Sequence, residues 1–140
     1  MRSILMVLAA IFMLAGTTYA GEKTNVPAAV REAFQKTYPG AEKLKWDKED
    51  GRFEASFEYK EQEMSVLYNA NGTVAETETE IPVTDLPKEA YKYASGKGKV
   101  KEAAKIVSAD GTVTYEAEVG KSDLIFDDNG NFLQEKTDKE

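Results

Sequence analysis

Asp and Glu supply most of the side chains in this sequence that could take part in catalysis or bind a metal ion. The 140-residue chain has no Cys and no His, so it lacks the parts of a Ser-His-Asp triad, a cysteine nucleophile and an ordinary zinc site. Its 25 Asp and Glu residues outnumber the 18 Lys and Arg residues and give a formal net charge of −7. An acidic chain repels phosphate backbones, so we expect no binding to nucleic acid. The remaining chemistry is that of Ser–Lys pairs or paired carboxylates.

Neither arrangement predicts a catalytic site. The run 95–97, Ser-Gly-Lys, stands at an expected helix end and is explained as polar termination. Glu54 and Glu58 are four strand residues apart, roughly 13 Å, which is too far for a carboxylate dyad on one strand. Glu116 or Glu118 could lie across from them, but exposed glutamates are the default on a wet sheet face. We therefore expect a protein that is not an enzyme, with no catalytic residues.

One acidic run, Asp127-Asp128-Asn129-Gly130-Asn131, has the composition of a calcium loop but not its spacing. A calcium-binding helix-loop-helix site needs oxygen ligands at positions 1, 3 and 5, Gly at position 6 and a bidentate Glu at position 12. Counted from Asp127, Phe132 falls at the required Gly position and Asp138 at the Glu position. The matching run in the first half, 69–73, keeps Asn-Gly but has no acid. The pattern favours a turn, and we expect no metal and no cofactor.

The first twenty residues are typical of a secretory signal peptide. Arg2 gives a positive start, Ile4–Ala15 form an apolar core, and Thr18 and Ala20 place small residues before a cleavage site. The core is too short to span a bilayer comfortably, and no Cys follows it to carry a lipid. The alternative is a buried N-terminal helix. We expect cleavage after Ala20, a periplasmic or secreted protein, and no stable membrane anchor after cleavage.

The rest of the chain consists of two similar halves. Landmarks of different kinds recur in the same order, and small length changes in loops explain the drift in their spacing. This predicts a tandem duplication in one compact domain, with 21–80 as the first unit and 81–140 as the second. The matching pairs are Pro27 with Pro87, Asp50-Gly51 with Asp110-Gly111, Phe53-Glu54-Ala55 with Tyr115-Glu116-Ala117, and Asn71-Gly72 with Asn129-Gly130.

Each half predicts one helix followed by four strands. Apolar residues recur at helical spacing at the start of each half, and the period then switches to two. Phe53–Tyr59 and Val113–Val119 alternate apolar with polar side chains, as strands do when one face is wet. Asp-Gly and Asn-Gly dipeptides between the strands predict tight antiparallel hairpins. The link 81–84 is too short to be free, so we expect one continuous α+β sheet or two tightly abutted sheets.

The same alternation leaves apolar residues on the wet face. If Met64, Val66 and Tyr68 face the core, Leu67 points the other way, and so does Ile125 at the equivalent place. Either helices or termini cover these residues, or they belong to a partner-binding sheet face. Alternation with its lysine neighbours leaves the face of Trp46 undecided. The candidate partner-binding residues are Trp46, Glu54, Glu58, Leu67, Glu116, Glu118 and Ile125.

Three motifs resemble the PepSY-like, β-lactamase-inhibitor-like group of exported bacterial proteins. They are a helix start at Val26-Pro27 and Leu86-Pro87, a strand at Phe53–Phe57 and Tyr115–Val119, and a hairpin at Leu67–Val74 and Ile125–Phe132. The resemblance implies an α+β architecture of two helix-plus-four-strand units, like β-lactamase inhibitory protein (BLIP), with helices on one face of the sheet. It also implies a restraining role, because related PepSY domains occur in the propeptides of thermolysin-type metallopeptidases.

One departure from that group concerns the wet face. BLIP grips its enzyme with a concave sheet rich in aromatics, whereas this face is predicted to carry mainly Glu, Ser and Thr, with few aromatics. No functional residue is therefore carried over. We expect a non-enzymatic periplasmic protein-binding or peptidase-inhibitor-type module that engages an envelope protein through the open sheet face. The alternative is a small-ligand or cation-binding envelope protein that uses the glutamates of this face.

Overall fold

The computed structural model describes residues 25–137, and the predicted signal peptide, 1–20, lies outside them. Over the described residues, a helix followed by four strands occurs twice. No helix in this part of the chain is long and apolar enough to cross a membrane. The elements are α1 (Ala28–Thr37), β1 (Glu42–Glu49), β2 (Arg52–Tyr59), β3 (Gln62–Tyr68), β4 (Val74–Ile81), a 3₁₀ turn (Val83–Asp85), α2 (Lys88–Lys97), β5 (Val100–Ser108), β6 (Val113–Val119), β7 (Ser122–Asp127) and β8 (Phe132–Thr137).

The eight strands form one antiparallel sheet in the order β1 to β8. Each strand pairs with the next one in the chain, so the sheet is an uninterrupted meander. The two halves join where β4 pairs with β5, with Glu78 opposite Ile106. This confirms an α+β fold built on an antiparallel sheet. Of the two arrangements that the short link allowed, the structure has the single continuous sheet.

Both helices begin directly after a proline. The carbonyl oxygen of Pro27 accepts hydrogen bonds from the N–H groups of Val30 and Arg31, and that of Pro87 accepts one from Tyr91. Proline is favourable at a helix start because its missing N–H would have no partner there. These two prolines, recognisable in the sequence, therefore set where the helices meet the sheet.

Each helix buries a pair of residues four positions apart against the sheet, as expected for one helical face. Val30 and Phe34 of α1 join one hydrophobic cluster, and Ala90 and Ala94 of α2 join a second. The sheet residues of the first cluster are Phe53, Ala55, Phe57, Val66 and Tyr68, and those of the second are Ala103, Ala117, Leu124 and Phe126.

The strand registers place the two clusters on the same side of the sheet. Residues paired across neighbouring antiparallel strands point to the same side. Val66 pairs with Thr77, and Thr77 pairs with Val107. Ala103 is four residues from Val107 on β5, so by the period of two it faces the same way. We call the side that carries both clusters the helix side.

The Asn-Gly hairpins dock against the starts of the helices. Gly72 and Gly130 have positive φ values of 88° and 87°, which glycine adopts without strain. A Cβ atom at Gly72 would lie 2.7 Å from the carbonyl oxygen of Ala29, and one at Gly130 would lie 2.9 Å from the backbone N of Ala90. Glycine is therefore needed at both turns for conformation and for the close approach of backbone to helix.

The acidic run that follows β7 is the second of these turns. One oxygen of the Asp127 carboxylate accepts hydrogen bonds from the backbone N–H groups of Asn129 and Asn131, with N to O distances of 2.9 and 2.8 Å. The other oxygen accepts the side-chain amide of Asn131 at 2.9 Å. The hydrogen bond from the Asn131 side chain, together with these backbone donors, lowers the pKa of Asp127. The carboxylate therefore holds the turn together, in line with the expected turn.

Replacing Gly130 with alanine should destabilise the protein more than the same change at Gly111. Gly111 also has a positive φ, 85°, but a Cβ atom there would meet nothing within 4 Å. Gly111→Ala should therefore cost about 1 kcal/mol of unfolding free energy, from backbone strain alone. Gly130→Ala should cost about 1–3 kcal/mol more, because the added methyl group collides with α2. Urea denaturation of the two variants measures the difference, and equal losses would contradict the docking of this turn.

Candidate functional site

The side of the sheet opposite the helix side is lined by carboxylates. Glu54 on β2 pairs with Leu67 on β3, which pairs with Glu76 on β4. Glu116 on β6 pairs with Ile125 on β7. We call this side the acidic face. Its central and flanking residues are Glu54, Ser56, Glu58, Ser65, Leu67, Glu76, Glu78, Glu80, Ile106, Glu116, Glu118, Asp123, Ile125 and Lys136.

The centre of the acidic face is buried. Glu54 is 1% exposed and Glu116 is 4% exposed, and Ile125 beside Glu116 is 5% exposed. The expectation that these two glutamates are solvent-exposed is therefore wrong, although their assignment to the face opposite the core is correct. The twist of a long antiparallel sheet brings side chains of non-adjacent strands together on one face. Side chains of that face, including Leu67 and Ile125, then exclude water from the carboxylates between them.

Carboxylates at the edge of the acidic face have lysine partners. The Nζ atom of Lys43 lies 2.9 Å from a carboxylate oxygen of Glu58. The Nζ atom of Lys101 lies 4.0 Å from a carboxylate oxygen of Glu118. These ion pairs are partly exposed and contribute little to stability. They do neutralise the two edge glutamates among the residues predicted from sequence.

The central glutamates differ from the edge ones in that some of their carboxylate oxygens lack a hydrogen-bond partner. Glu54 Oε1 accepts a hydrogen bond from Ser56 Oγ at 3.2 Å, but its Oε2 atom is buried without a hydrogen-bond partner. The Oε2 atom of Glu116 is buried in the same way. Lys136 on β8 acts on the charges of Glu78 and Glu116, but the pKa values of both stay raised in its presence. The centre of the face thus contains acidic groups whose charged forms are compensated only in part.

Burial and mutual repulsion keep protons on these groups. Burial, reinforced by nearby Glu76 and Glu54, raises the pKa of Glu78 to about 8. Burial, reinforced by Glu78 and Asp123, raises the pKa of Glu116 to about 9. Burial also raises the pKa of Glu54 to about 7, against the opposing effect of the Ser56 hydrogen bond. Near neutral pH the centre is therefore largely a row of neutral carboxylic acids.

The predicted anchors divide between the two sides of the sheet. Leu67 and Ile125 lie on the acidic face, partly buried and buried respectively. Trp46 does not belong to this face, because it pairs with Ala55 on the helix side. Its ring contacts Phe34 of α1, with centroids 5.5 Å apart. Trp46 is therefore part of the core packing and is removed from the candidate site.

Sequence reasoning did not include β4 and β8 in the site. Glu76, Glu78 and Glu80 alternate with two threonines on β4, and this Glu-Thr-Glu-Thr-Glu run was the signal for an acidic stripe. Lys136 on β8 pairs with Asp123. Lys136 also lowers the pKa values of Glu78 and Glu116, so a cation on this face does stabilise their charged forms.

Among the clefts lined by residues 25–137, two lie on the helix side, near the outer strands. One of about 490 Å³ lies between α1 and β1 and is lined by Tyr38, Leu44 and Trp46. The other, of about 560 Å³, lies between α2 and the start of β8 and is lined by Tyr93 and Phe132. Neither cleft contains any of the buried carboxylates. The acidic face therefore remains the candidate site.

Stability should fall as pH rises, because of the central glutamates. Their pKa values are about 7 to 9 in the folded protein and near the ordinary 4.5 when it unfolds. Between these values the folded state binds more protons than the unfolded state, so the free energy of unfolding decreases with pH. We expect Tm to fall between about pH 5 and about pH 9, by about 4 °C for each kcal/mol lost.

Glu116→Gln should flatten this pH profile. An amide cannot ionise, so the variant loses the contribution of Glu116 and should gain Tm relative to the wild type at about pH 9. Glu32→Gln, on the exposed surface of α1, is the matched control and should leave the profile unchanged. Melting curves followed by circular dichroism measure both. Parallel profiles for the wild type and Glu116→Gln would contradict the raised pKa of Glu116.

Comparison with known structures places this fold beside those of Bacteroides proteins. A protein provisionally assigned to the periplasm of Bacteroides eggerthii superposes with a TM-score of 0.72 at 18% identity, over 80% of this chain and 88% of that one. A DUF2874 family protein from Bacteroides ovatus gives 0.68 at 22% identity, over 84% and 89%. A BLIP-like protein from Bacteroides fragilis gives 0.60 at 26% identity, over 79% and 86%. No family model and no curated protein matches the sequence. The likenesses establish a BLIP-like fold.

Proposed function

We propose that this protein is a non-enzymatic periplasmic binding module that engages an envelope protein through the acidic face. The observation that carries the proposal is the burial of Glu54 and Glu116 with unpaired carboxylate oxygens. A buried polar group without a partner is destabilising in the isolated chain. A partner that supplies donors to these oxygens would remove that cost. The face is therefore better suited to a complex than to the free protein.

The composition of the acidic face also suits a protein interface. Leu67, Ile106 and Ile125 place apolar area among the carboxylates, while the lysine-paired Glu58 and Glu118 lie further out. Protein interfaces commonly have an apolar centre and a polar, solvated rim. The face has no aromatic anchor among its residues, so the chemistry of recognition differs from that of an aromatic-rich inhibitor face.

The resemblance to PepSY-like proteins suggests what kind of partner this is. We propose that the two halves are tandem PepSY-like units, supported by the repeated order of helix and four strands. Similarity to a BLIP-like protein of Bacteroides fragilis agrees with this proposal at the level of the fold. A secreted or membrane-bound peptidase held in check is therefore a reasonable first class of partner to test.

A second candidate function is the binding of a small cation. The mutual electrostatic effects of Glu54, Glu78 and Glu116 favour it, since a cation would relieve the repulsion among them. Among residues 25–137, however, no group of three or more acidic side chains is arranged to hold a metal ion. A metal would need side chains to rearrange. Calorimetric titration with calcium tests this function, and heat of binding at millimolar calcium would favour it.

Export should produce a protein that begins at Gly21. We propose that 1–20 is a signal peptide, supported by its apolar core and by the small residues Thr18 and Ala20. Expression of the whole sequence in a Gram-negative host should place the processed chain in the osmotic-shock fraction, as mass spectrometry would show. Ala20→Arg should leave the precursor uncleaved, whereas Glu22→Gln, beyond the cleavage site, should be processed normally. Unprocessed wild type in the cytosol would contradict the proposal.

A bulky charged substitution on the acidic face should abolish capture of the partner. Leu67→Arg places a long charged side chain on the acidic face itself. Tyr91→Arg adds the same side chain to the outer surface of α2, where Tyr91 is 46% exposed. Chemical cross-linking in the source bacterium's envelope, followed by purification, should recover the same partner with the wild type and Tyr91→Arg. Leu67→Arg should recover at least tenfold less. Equal recovery by both variants would contradict binding through the acidic face.

A further inference from the structure

We infer that the group seated on the acidic face is a basic side chain of the partner protein, an arginine guanidinium or a lysine ammonium, held between Glu54, Glu78 and Glu116. This inference rests on the proposed function, because it assumes that the acidic face is the binding surface. It goes further by naming the chemistry that the face recognises.

The three glutamates lie in a line across the centre of the acidic face. They lie on alternate strands, β2, β4 and β6, with Glu78 on the strand in the middle. Ser65 faces Glu78 from β3 and Ile106 faces it from β5. The charge of Glu54 acts on Glu78, and the charge of Glu78 acts on Glu116, which places Glu78 within electrostatic reach of the other two. A cation placed over Glu78 can therefore pair with it and attract the glutamates on either side.

The unpaired oxygens of this region specify what the ligand must supply. Glu54 Oε2 and Glu116 Oε2 are buried acceptors without a donor, in side chains that are 1% and 4% exposed. A guanidinium group carries five N–H donors in a planar fork, and an ammonium group carries three. Either provides charge-assisted hydrogen bonds to more than one carboxylate at once. Neutral donors would satisfy the oxygens but not the charges.

The distribution of cations on the face leads to the same ligand. Edge glutamates Glu58 and Glu118 already have Lys43 and Lys101 beside them. At the centre, Lys136 of the edge strand acts on Glu78 and Glu116, but their pKa values remain raised to about 8 and about 9, so one cation does not offset the acids there. With a formal net charge of −7, the chain repels acidic partners and attracts basic ones. Charge complementarity thus selects a basic partner, and the centre of the face is where its cation remains to be provided.

Binding of a cation should release protons. Glu78 and Glu116, with pKa values of about 8 and 9, hold protons near pH 7 and must lose them to pair with the cation. The groups facing them are Glu54 on β2, Glu76 on β4, Glu118 on β6, Asp123 on β7 and Lys136 on β8, while β5 presents Ile106. Affinity should therefore increase as pH rises from 6 towards 9, the direction opposite to that of stability.

Calorimetry with short peptides tests the inference on the purified processed protein. The probes are tetra-arginine amide and tetra-lysine amide, with tetra-glutamate amide as the negative control and calcium chloride as a separate arm. At pH 7.5, the binding enthalpy of tetra-arginine should differ between phosphate and Tris buffers by the amount expected for release of about one proton. Its affinity should rise at least threefold between pH 6.5 and pH 8.5.

Variants with the same two substitutions at different places separate the central site from general attraction. Glu78→Gln combined with Glu116→Gln should weaken tetra-arginine binding at least tenfold and abolish proton release, although both groups hold protons near pH 7 in the free protein. Glu32→Gln combined with Glu89→Gln, on the exposed surfaces of α1 and α2, removes two surface carboxylates and should weaken it less than twofold. Glu54→Gln alone is a second central variant if the double variant melts early. Equal weakening by the two pairs, or binding without proton release, would overturn the inference.

The calcium arm and the cross-linking experiment distinguish the remaining outcomes. Calcium binding that the central variants abolish, without binding of the basic peptides, would replace the basic side chain with a metal ion and overturn the inference. If Leu67→Arg loses the cross-linked partner but Glu78→Gln with Glu116→Gln retains it, the acidic face binds protein by other means. In that case the proposed function stands and the inference fails. If neither variant affects capture, both fail.

Discussion

Eight strands hydrogen-bonded in chain order form a sheet with two faces, and residues 25–137 supply two α-helices of ten residues each to cover them. Both helices pack on one side, where their hydrophobic clusters meet the sheet. The other side has to exclude water with its own side chains. On that side Ile106 and Ile125 pair with Glu78 and Glu116, and Glu116 and both isoleucines are buried. Burial of carboxylates at the centre of the sheet follows from this shortage of covering elements.

The protein accommodates these carboxylates with protons more than with ion pairs. Burial raises the pKa of Glu116 to about 9 and that of Glu78 to about 8, so both are mostly neutral at physiological pH. A neutral acid is far less costly to bury than an unpaired carboxylate. The neutral acids can still become charged, because a cation that binds beside them favours loss of their protons and so converts them into carboxylates. Stability of the free protein and affinity for a cation therefore respond to pH in opposite directions.

Local features of the structure could be predicted from sequence because they depend on neighbouring residues. Proline at 27 and 87 set the helix starts, and Asn-Gly at 71–72 and 129–130 set the turns. Alternation in β2 and β6 placed Glu54 and Glu116 on the side opposite the core. Their burial could not be predicted, because the side chains that cover them come from strands distant in the sequence.

Trp46 shows a second limit of pattern reasoning. The pairing of β1 with β2 shifts between Glu42 and Lys45, and Lys43 there has a positive φ of 54°. Such a bulge adds one residue and reverses the alternation on one side of it. Counting from Lys43 therefore leaves the side of Trp46 undecided, whereas its pairing with Ala55 places it on the helix side. Nothing in the residue types at 42–45 marks a bulge.

The two sequence halves differ at one position that matters for the centre of the face. Glu54 and Glu116 stand at matching places in the halves, and both are buried. Aligning Asn71-Gly72 with Asn129-Gly130 matches Glu78 of β4 with Lys136 of β8. The second half therefore brings its own cation to the acidic face, on the edge strand, and the first half brings a third acid, on the strand that joins the halves. Because β4 pairs with β5 to continue the sheet, Glu78 lies between the two matching glutamates. An excess of acid at the centre thus arises because both halves share one sheet, and a further cation like that of Lys136 would offset it.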